Sequence, residues 1–456
     1  MTDNPDVLIL GGGSGGYAAA FRAAQLGKTV TLVEEDKVGG TCLHRGCIPT
    51  KALVHAAEVA DSVNHASSIG IGASLGKIDL DAVHNYMNRV VDRLYKGLEG
   101  LVRSHKITVV NGTGHYRGGT TVDVAGQSIT GRALVLATGS NTRGLPGLET
   151  GGRILTSDQA LTFPTLPRRA IVLGGGVIGV EFASIWASLG AQVTIIEALP
   201  RLVATEDEWT SKQLTRAFRK RGIIIETDTR FSKAVQDEKS VTVTTESGDT
   251  YDADVLLVAV GRGPRTTGIG LAEAGVELDE SGFVRTDERL RTTAPNVYAV
   301  GDIVAGPQLA HRGFQQGIFV ADEIAGLEPI PVEDADIPRV AYSNPEIASV
   351  GLTEAQAREQ FPAVDIVIYD LAGNGKSQIL GTSGGVKLVR AAAGKVVGVH
   401  IVGERVGELI GEAQLIVNWG AHPDEVGHLI HAHPTQAEAL GEAHLALAGR
   451  PLHTHS

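Results

Sequence analysis

Short, unbroken apolar runs that end in glycine punctuate the first three hundred residues. Val7-Leu8-Ile9-Leu10 runs into Gly11–Gly16, and Ile171-Val172-Leu173 runs into Gly174–Gly179. Ala133–Ala137 ends in Thr138-Gly139, Val255–Val260 ends in Gly261, and Val297–Val300 ends in Gly301-Asp302. Runs of this kind, without polar alternation, predict strands buried on both faces, as in parallel sheets covered by helices. Beyond Gly326 the pattern changes. Leu327-Glu328-Pro329-Ile330-Pro331 reads as a linker, Lys387–Val389 and Val396–Ile401 read as antiparallel strands, and helices are expected around Gly407–Trp419 and Glu438–Ala448.

Two of the glycine-ended runs belong to a repeat. The first unit reads strand, G-x-G-x-x-G, alanine-rich helix, strand Lys28–Val33, then Glu34. Gly11, Gly13, Gly16, Gly27 and Glu34 map onto Gly174, Gly176, Gly179, Gly190 and Glu197 with one constant offset. Ordinary strand–helix turns would not keep five positions together. In this context the glycines let the chain turn sharply and let backbone amides approach a pyrophosphate at a helix N-terminus. Glu34 and Glu197 stand where a carboxylate accepts bonds from ribose hydroxyls, so two dinucleotides are expected. Glu181 takes the place of Ala18 in the second unit. It serves either as a favourable first-turn charge or as a partner for a cation near the reacting rings. Asp302 similarly reads as a turn cap or as an acceptor for a ligand hydroxyl.

Composition narrows the class. The chain has 456 residues, 58 of them glycine, and a net charge of −12. No basic run exceeds Arg219-Lys220-Arg221, which argues against nucleic acid or an anionic membrane as partner. No apolar run is long enough to span a bilayer, and polar Met1–Asp6 leads straight into a strand without a targeting leader. A cytoplasmic protein is expected.

The two cysteines, Cys42 and Cys47, lie within Gly39-Gly40-Thr41-Cys42-Leu43-His44-Arg45-Gly46-Cys47-Ile48-Pro49-Thr50-Lys51. A chain with two cysteines builds no disulfide scaffold, so the pair reads as redox-active, as metal-binding, or as buried structural thiols. Zinc usually wants four ligands and no second cysteine pair supplies them, so no metal is expected. Five residues of regular helix rise about 7.5 Å, beyond the span a disulfide tolerates. The pair can close only where the helix is interrupted, and Gly46 and Pro49 permit that. Near the other end, His433 precedes Glu438 by five residues across Pro434-Thr435. This is a helix entry, or a base oriented by a carboxylate.

Together these segments resemble the FAD-dependent pyridine nucleotide–disulfide oxidoreductase family, and within it the branch that oxidises dihydrolipoyl groups. The resemblance covers the whole chain and rests on Gly-Gly-Thr-Cys42-x4-Cys47-Ile-Pro-Thr-Lys51, both glycine fingerprints, Ala137-Thr138-Gly139, Gly301-Asp302 and His433-Pro434-Thr435-x-x-Glu438. It implies an α/β chain of two Rossmann-like dinucleotide-binding domains plus a C-terminal α+β dimerisation domain. The expected boundaries are 1–145 with 265–330 for FAD, 146–264 for NAD and 331–456 for the dimerisation domain. FAD would sit on the first copy and NAD on the second. Cys47 would face the flavin, Cys42 would exchange with substrate, and Lys51 would lie near the flavin and pair with Glu181. His433, oriented by Glu438 and supplied by the other subunit of a homodimer, would handle the proton. Gly114, Ala310 and His311 match further flavin-contacting segments.

The implied reaction is oxidation of a protein-bound dihydrolipoyl group with reduction of NAD⁺. The partners would be lipoyl domains of 2-oxo acid dehydrogenase complexes or of the glycine cleavage system. The alternatives are an NAD(P)H-dependent reductase of another disulfide and a flavin-binding subunit without turnover. Two positions depart from the family pattern: His44-Arg45, where Asn-Val is frequent, and Arg265, where Asn is common. The chain has no additional cysteine pair near its end, which argues against mercuric reductase.

Overall fold

A computed structural model, which describes residues 4–392 and 394–453, folds the two fingerprint regions into two five-stranded parallel sheets. Residues 1–3 and 454–456, the outer limits of the expected first and last domains, lie outside the described residues. The first sheet runs Val297–Ala299, Ala133–Leu136, Val7–Leu10, Val30–Glu34, Thr108–Asn111. The second runs Ile154–Leu155, Val255–Val258, Arg169–Leu173, Gln192–Ile196, Ile224–Glu226. In both, the fingerprint strand is central: Val7 registers with Val30 and Ala133, and Ala170 with Val193 and Val255. Central strands covered by helices on both sides have no solvent face, and Val7–Leu10 and Ala133–Leu136 are buried throughout.

The fifth strand of the first sheet comes from residues 297–299, after the whole second sheet. The first unit is thus built from chain on both sides of the second. The two connecting passages, Ser140–Thr142 and Arg262–Pro264, pair with each other in an antiparallel ribbon. Helix Ala310–Ile324 packs on helix Ser14–Gln25 so closely that a Cβ on Gly317 would come within 2.2 Å of the Gly15 carbonyl oxygen. Two small three-stranded antiparallel sheets, at 115–130 and 231–253, were not evident in the apolar pattern. Their strands are short and partly polar because one face meets solvent.

The C-terminal region forms an antiparallel five-stranded sheet around Val396–Gly403, paired on one side with Gly385–Ala391 and on the other with Glu346–Gly351. Helices Val406–Asn418 and Glu438–Leu447 occupy the two expected helical stretches. Buried Lys387 joins this sheet to the second unit through Asp207 at 2.8 Å and pairs with Glu354 of its own region at 2.7 Å. A buried ammonium costs desolvation unless paired, and two carboxylates meet that requirement. No described helix is long and apolar enough to cross a membrane. No group of three His, Cys, Asp or Glu among the described residues could hold a metal ion.

Candidate active site

The carboxyl ends of both parallel sheets open onto one cleft of about 1420 Å³. Each glycine fingerprint makes the same turn there. Gly11 and Gly174 have φ of +103° and +108°, and a Cβ on either would fall within 2.4 Å of the carbonyl oxygen of Ala137 or Ala259. Gly16 and Gly179 lie beneath the turns, where a Cβ would come within 1.9 Å of the carbonyls of Gly11 and Gly174. The helices that follow, Ser14–Gln25 and Val177–Ser188, start at Gly13 and Gly176 with no side-chain cap. Their first-turn amides are therefore left to the cleft, where an anion satisfies them.

Glu34 and Glu197 end the second strand of each unit in matching poses. Glu34 accepts from the Gly12 amide at 2.6 Å, and Glu197 from the Gly175 amide at 2.5 Å and the Leu199 amide at 2.7 Å. Bare glycine surface, uncapped helix starts and a fixed carboxylate in each copy fit two dinucleotides, one per copy. Arg201, which follows Glu197 closely in sequence, is turned to the carbonyls of Ala204 and Glu206 and to Ser211. Arg230 also lines the cleft. It sits in a loop with no motif and was missed.

The redox segment is two helices. Gly40–Arg45 stops at Gly46, whose φ of −135° and ψ of −110° are not helical, and Cys47–His65 begins at the next residue. That interruption is what a pair spaced by five residues requires. Both cysteines are reduced here and share a hydrogen bond. This bond, with help from the Lys51 ammonium, brings the Cys47 thiol down to about 7 despite burial. The same bond, together with burial, drives Cys42 upward. The two sulfurs are unequal, with ionisation favoured at Cys47 and disfavoured at Cys42.

Lys51 Nζ reaches both carboxylate oxygens of Glu181 at 2.8 Å, across 130 residues of sequence. Glu181 is buried and also accepts from the Tyr342 amide at 2.9 Å, while the ammonium lies 4.8 Å from the Tyr342 ring centroid. Burial alone would lower Lys51, but the Glu181 carboxylate outweighs it and the ammonium is held above its ordinary value. Tyr342 is a contributor from the C-terminal region that no motif signalled. Lys51→Met should raise the Cys47 midpoint above about 7 by roughly one unit or more, read from ultraviolet thiolate absorbance of the reduced protein against pH. An unchanged midpoint would assign the effect to Cys42 alone.

Most expected residues line this cleft: Gly11, Gly13, Glu34, Cys42, Cys47, Lys51, Gly114, Thr138, Gly139, Gly174, Gly176, Glu181, Glu197, Gly261, Asp302, Ala310 and His311. Asp302 accepts from Ser140 Oγ at 2.6 Å, Thr138 donates to the Arg265 carbonyl at 2.7 Å, and His311 Nε2 meets the Pro338 carbonyl at 2.7 Å. Gly114 is forced by packing, since a Cβ there would fall 2.4 Å from Leu10. Neither His433 nor Glu438 is among the described residues of the wall. They form their own pair: His433 Nδ1 lies 2.8 Å from Glu438 Oε1, and the Thr435 amide donates to Oε2 at 2.7 Å. Against the effect of burial, the bonds from Thr435 and His433 keep Glu438 below its ordinary range. The His433 side chain is 78% exposed.

Comparison with known proteins fits this geometry. Residues 5–317 match the pyridine nucleotide-disulphide oxidoreductase model, and residues 337–444 match that family's dimerisation domain. The chain belongs to the pyridine nucleotide-disulphide oxidoreductase family.

Within that family it is similar to a dihydrolipoyl dehydrogenase of Bacillus subtilis, 39% identical over 99% of this chain and all of the relative. Among solved structures it resembles LpdA of Mycobacterium tuberculosis, at a TM-score of 0.90 and 26% identity, over 97% of this chain and 99% of that one. It also resembles RclA of Escherichia coli, an HOCl-induced flavoprotein disulfide reductase, at 0.86 and 28%, over 96% of this chain and 99% of RclA. As a member of this family the protein is an oxidoreductase that uses FAD and NAD, and its C-terminal sheet is the part through which the family forms homodimers.

Proposed function

We propose that the protein is a dihydrolipoyl dehydrogenase, oxidising protein-bound dihydrolipoyl groups to the cyclic disulfide and reducing NAD⁺. The observation that carries this is the unequal cysteine pair beside Lys51–Glu181, in one cleft with both dinucleotide fingerprints.

The chain's own residues divide the work. With Cys42 and Cys47 joined as a disulfide, a substrate thiolate attacks the Cys42 sulfur. The Cys42–Cys47 bond breaks, and Cys47 leaves as the thiolate that its low proton affinity favours. His433 of the partner subunit takes the proton from the second substrate thiol, which attacks the substrate sulfur in the mixed disulfide and frees Cys42. Two substrate thiols have become a disulfide, and the protein holds the electron pair on its two cysteines. Glu438 keeps the imidazole in the tautomer that can accept a proton and stabilises the imidazolium. Lys51, fixed by Glu181, holds positive charge beside the Cys47 thiolate. When bound, FAD supplies the two-electron chemistry that links the thiols to NAD⁺.

A second cavity of about 550 Å³ is walled by Tyr17, Phe21 and Phe314. Burial, then the nearby cysteines, pushes the Tyr17 hydroxyl up to about 12. The partners would be lipoyl domains of 2-oxo acid dehydrogenase complexes or of the glycine cleavage system. A chemistry that keeps a cysteine pair for turnover suits the reducing cytoplasm.

The test is a comparison of steady-state rates with dihydrolipoamide and glutathione, each with NAD⁺/NADH and NADP⁺/NADPH. Dihydrolipoamide with NAD⁺ should dominate, with kcat/KM for NADH exceeding that for NADPH by roughly 100-fold, since Glu197 repels a 2′-phosphate. Faster turnover of another disulfide with NADPH would favour the reductase reading that RclA represents.

A further inference from the structure

Three consecutive carboxylates, Glu34, Glu35 and Asp36, end the second strand of the first unit, and two arginines meet them from elsewhere in the chain. Arg265 makes a two-pronged ion pair with Glu35, Nη1 to Oε1 and Nη2 to Oε2, the latter at 2.5 Å. Arg45, between the two cysteines, lies 3.4 Å from Asp36 and 3.9 Å from Asp158. Glu34, Glu35, Arg45 and Arg265 all face the cleft, beside Gly112, Thr113 and Gly114. Arg265 is the position that departs from the family's usual Asn. It follows directly on Arg262–Pro264, the passage by which the chain returns from the second unit to the first. Its amide donates to the Gly139 carbonyl at 2.9 Å, and its carbonyl accepts from Thr138.

We propose that Arg265 and Glu35 form a clasp that closes the first dinucleotide site beside Glu34 and slows the release of FAD; the proposal rests on that site holding FAD. An isolated carboxylate at position 35 would repel Glu34, the group expected to hold the ribose, and would repel the nucleotide's own phosphates. The guanidinium offsets both charges, and its planar fork fixes Glu35 in one pose. The pair also spans two parts of the cleft wall that are 230 residues apart in sequence. Opening the site on that side requires breaking two parallel charge-assisted bonds held in one fork geometry. The Glu35 carboxyl is held below its ordinary range, first by the bond from Arg265.

The experiment measures FAD release from holoenzyme as the gain of free-flavin fluorescence, with an excess of a flavin-scavenging apoprotein to prevent rebinding. Arg265→Asn and Glu35→Gln should each release FAD on the order of tenfold faster than the parent. The double variant should be no faster than either single one, and the exchange Arg265→Glu with Glu35→Arg should return much of the slow release. Raising salt should speed release from the parent and barely change it in Arg265→Asn. A yellow Arg265→Asn protein that releases FAD at the parental rate overturns the clasp and leaves the flavoenzyme reading standing. So does an exchange variant as fast as the single ones, because the pair would then matter only to local packing. Purified parent protein without flavin would overturn both the clasp and the FAD assignment.

Discussion

His433→Gln should lower the rate of dihydrolipoamide oxidation by about 10²–10⁴, the usual cost of a lost general base. The same protein should reduce dyes or quinones with NADH at close to the parental rate, because that reaction needs the two dinucleotide sites and not the thiols. Loss of both activities would point to misfolding rather than to a missing base. The His433 side chain is exposed and sits apart from the described residues of the cleft that holds Cys42. A dimer related by a two-fold axis can bring one chain's imidazole to the other chain's cysteine. Mixing inactive Cys42→Ser and His433→Gln homodimers under subunit exchange should therefore restore dithiol oxidation, since a mixed dimer has one site with both groups intact. No recovery after demonstrated exchange would mean that each site is built within one chain.

Gly179→Ala should separate the two nucleotide sites. The new Cβ would lie 1.9 Å from the Gly174 carbonyl oxygen, so the fingerprint turn and the helix behind it must move apart. A displacement of about an ångström at a binding constellation can cost on the order of 100-fold, and NADH affinity should fall by at least that much. FAD content should stay normal, and dithiol should still reduce the bound flavin. Gly16→Ala is the mirror experiment, with its Cβ 1.8 Å from the Gly11 carbonyl oxygen, and should yield protein that does not retain FAD. Flavin lost from the Gly179 variant, with NADH binding lost from the Gly16 variant, would mean that the two copies had been assigned the wrong way round.

The clearest sequence signals were those whose physics is local. A glycine at φ near +100° with a carbonyl against its missing Cβ allows no other residue, so the fingerprints are written in the chain itself. The same holds for the strands that end in them, since a strand buried on both faces must be apolar without interruption. The spacing of Cys42 and Cys47 likewise required a broken helix, and Gly46 supplies it.

What the tertiary structure alone decided involves residues far apart in sequence, where no periodicity or spacing links the partners. Lys51 could be matched to Glu181 only by family resemblance, and nothing in the sequence pointed to Tyr342 closing the group from the C-terminal region. Arg265 showed as an oddity at a crossover, but its partner at Glu35 emerged only when the return passage was laid beside the end of the second strand. The fifth strand of the first sheet was legible as an apolar run, but its place beside Ala133–Leu136 was expected only through the resemblance, because a whole second sheet lies between the two in sequence. Burial and backbone strain act on single positions and leave a mark there. Pairing across long loops is chosen by the packing of whole units, so its marks are divided between residues that look unremarkable apart.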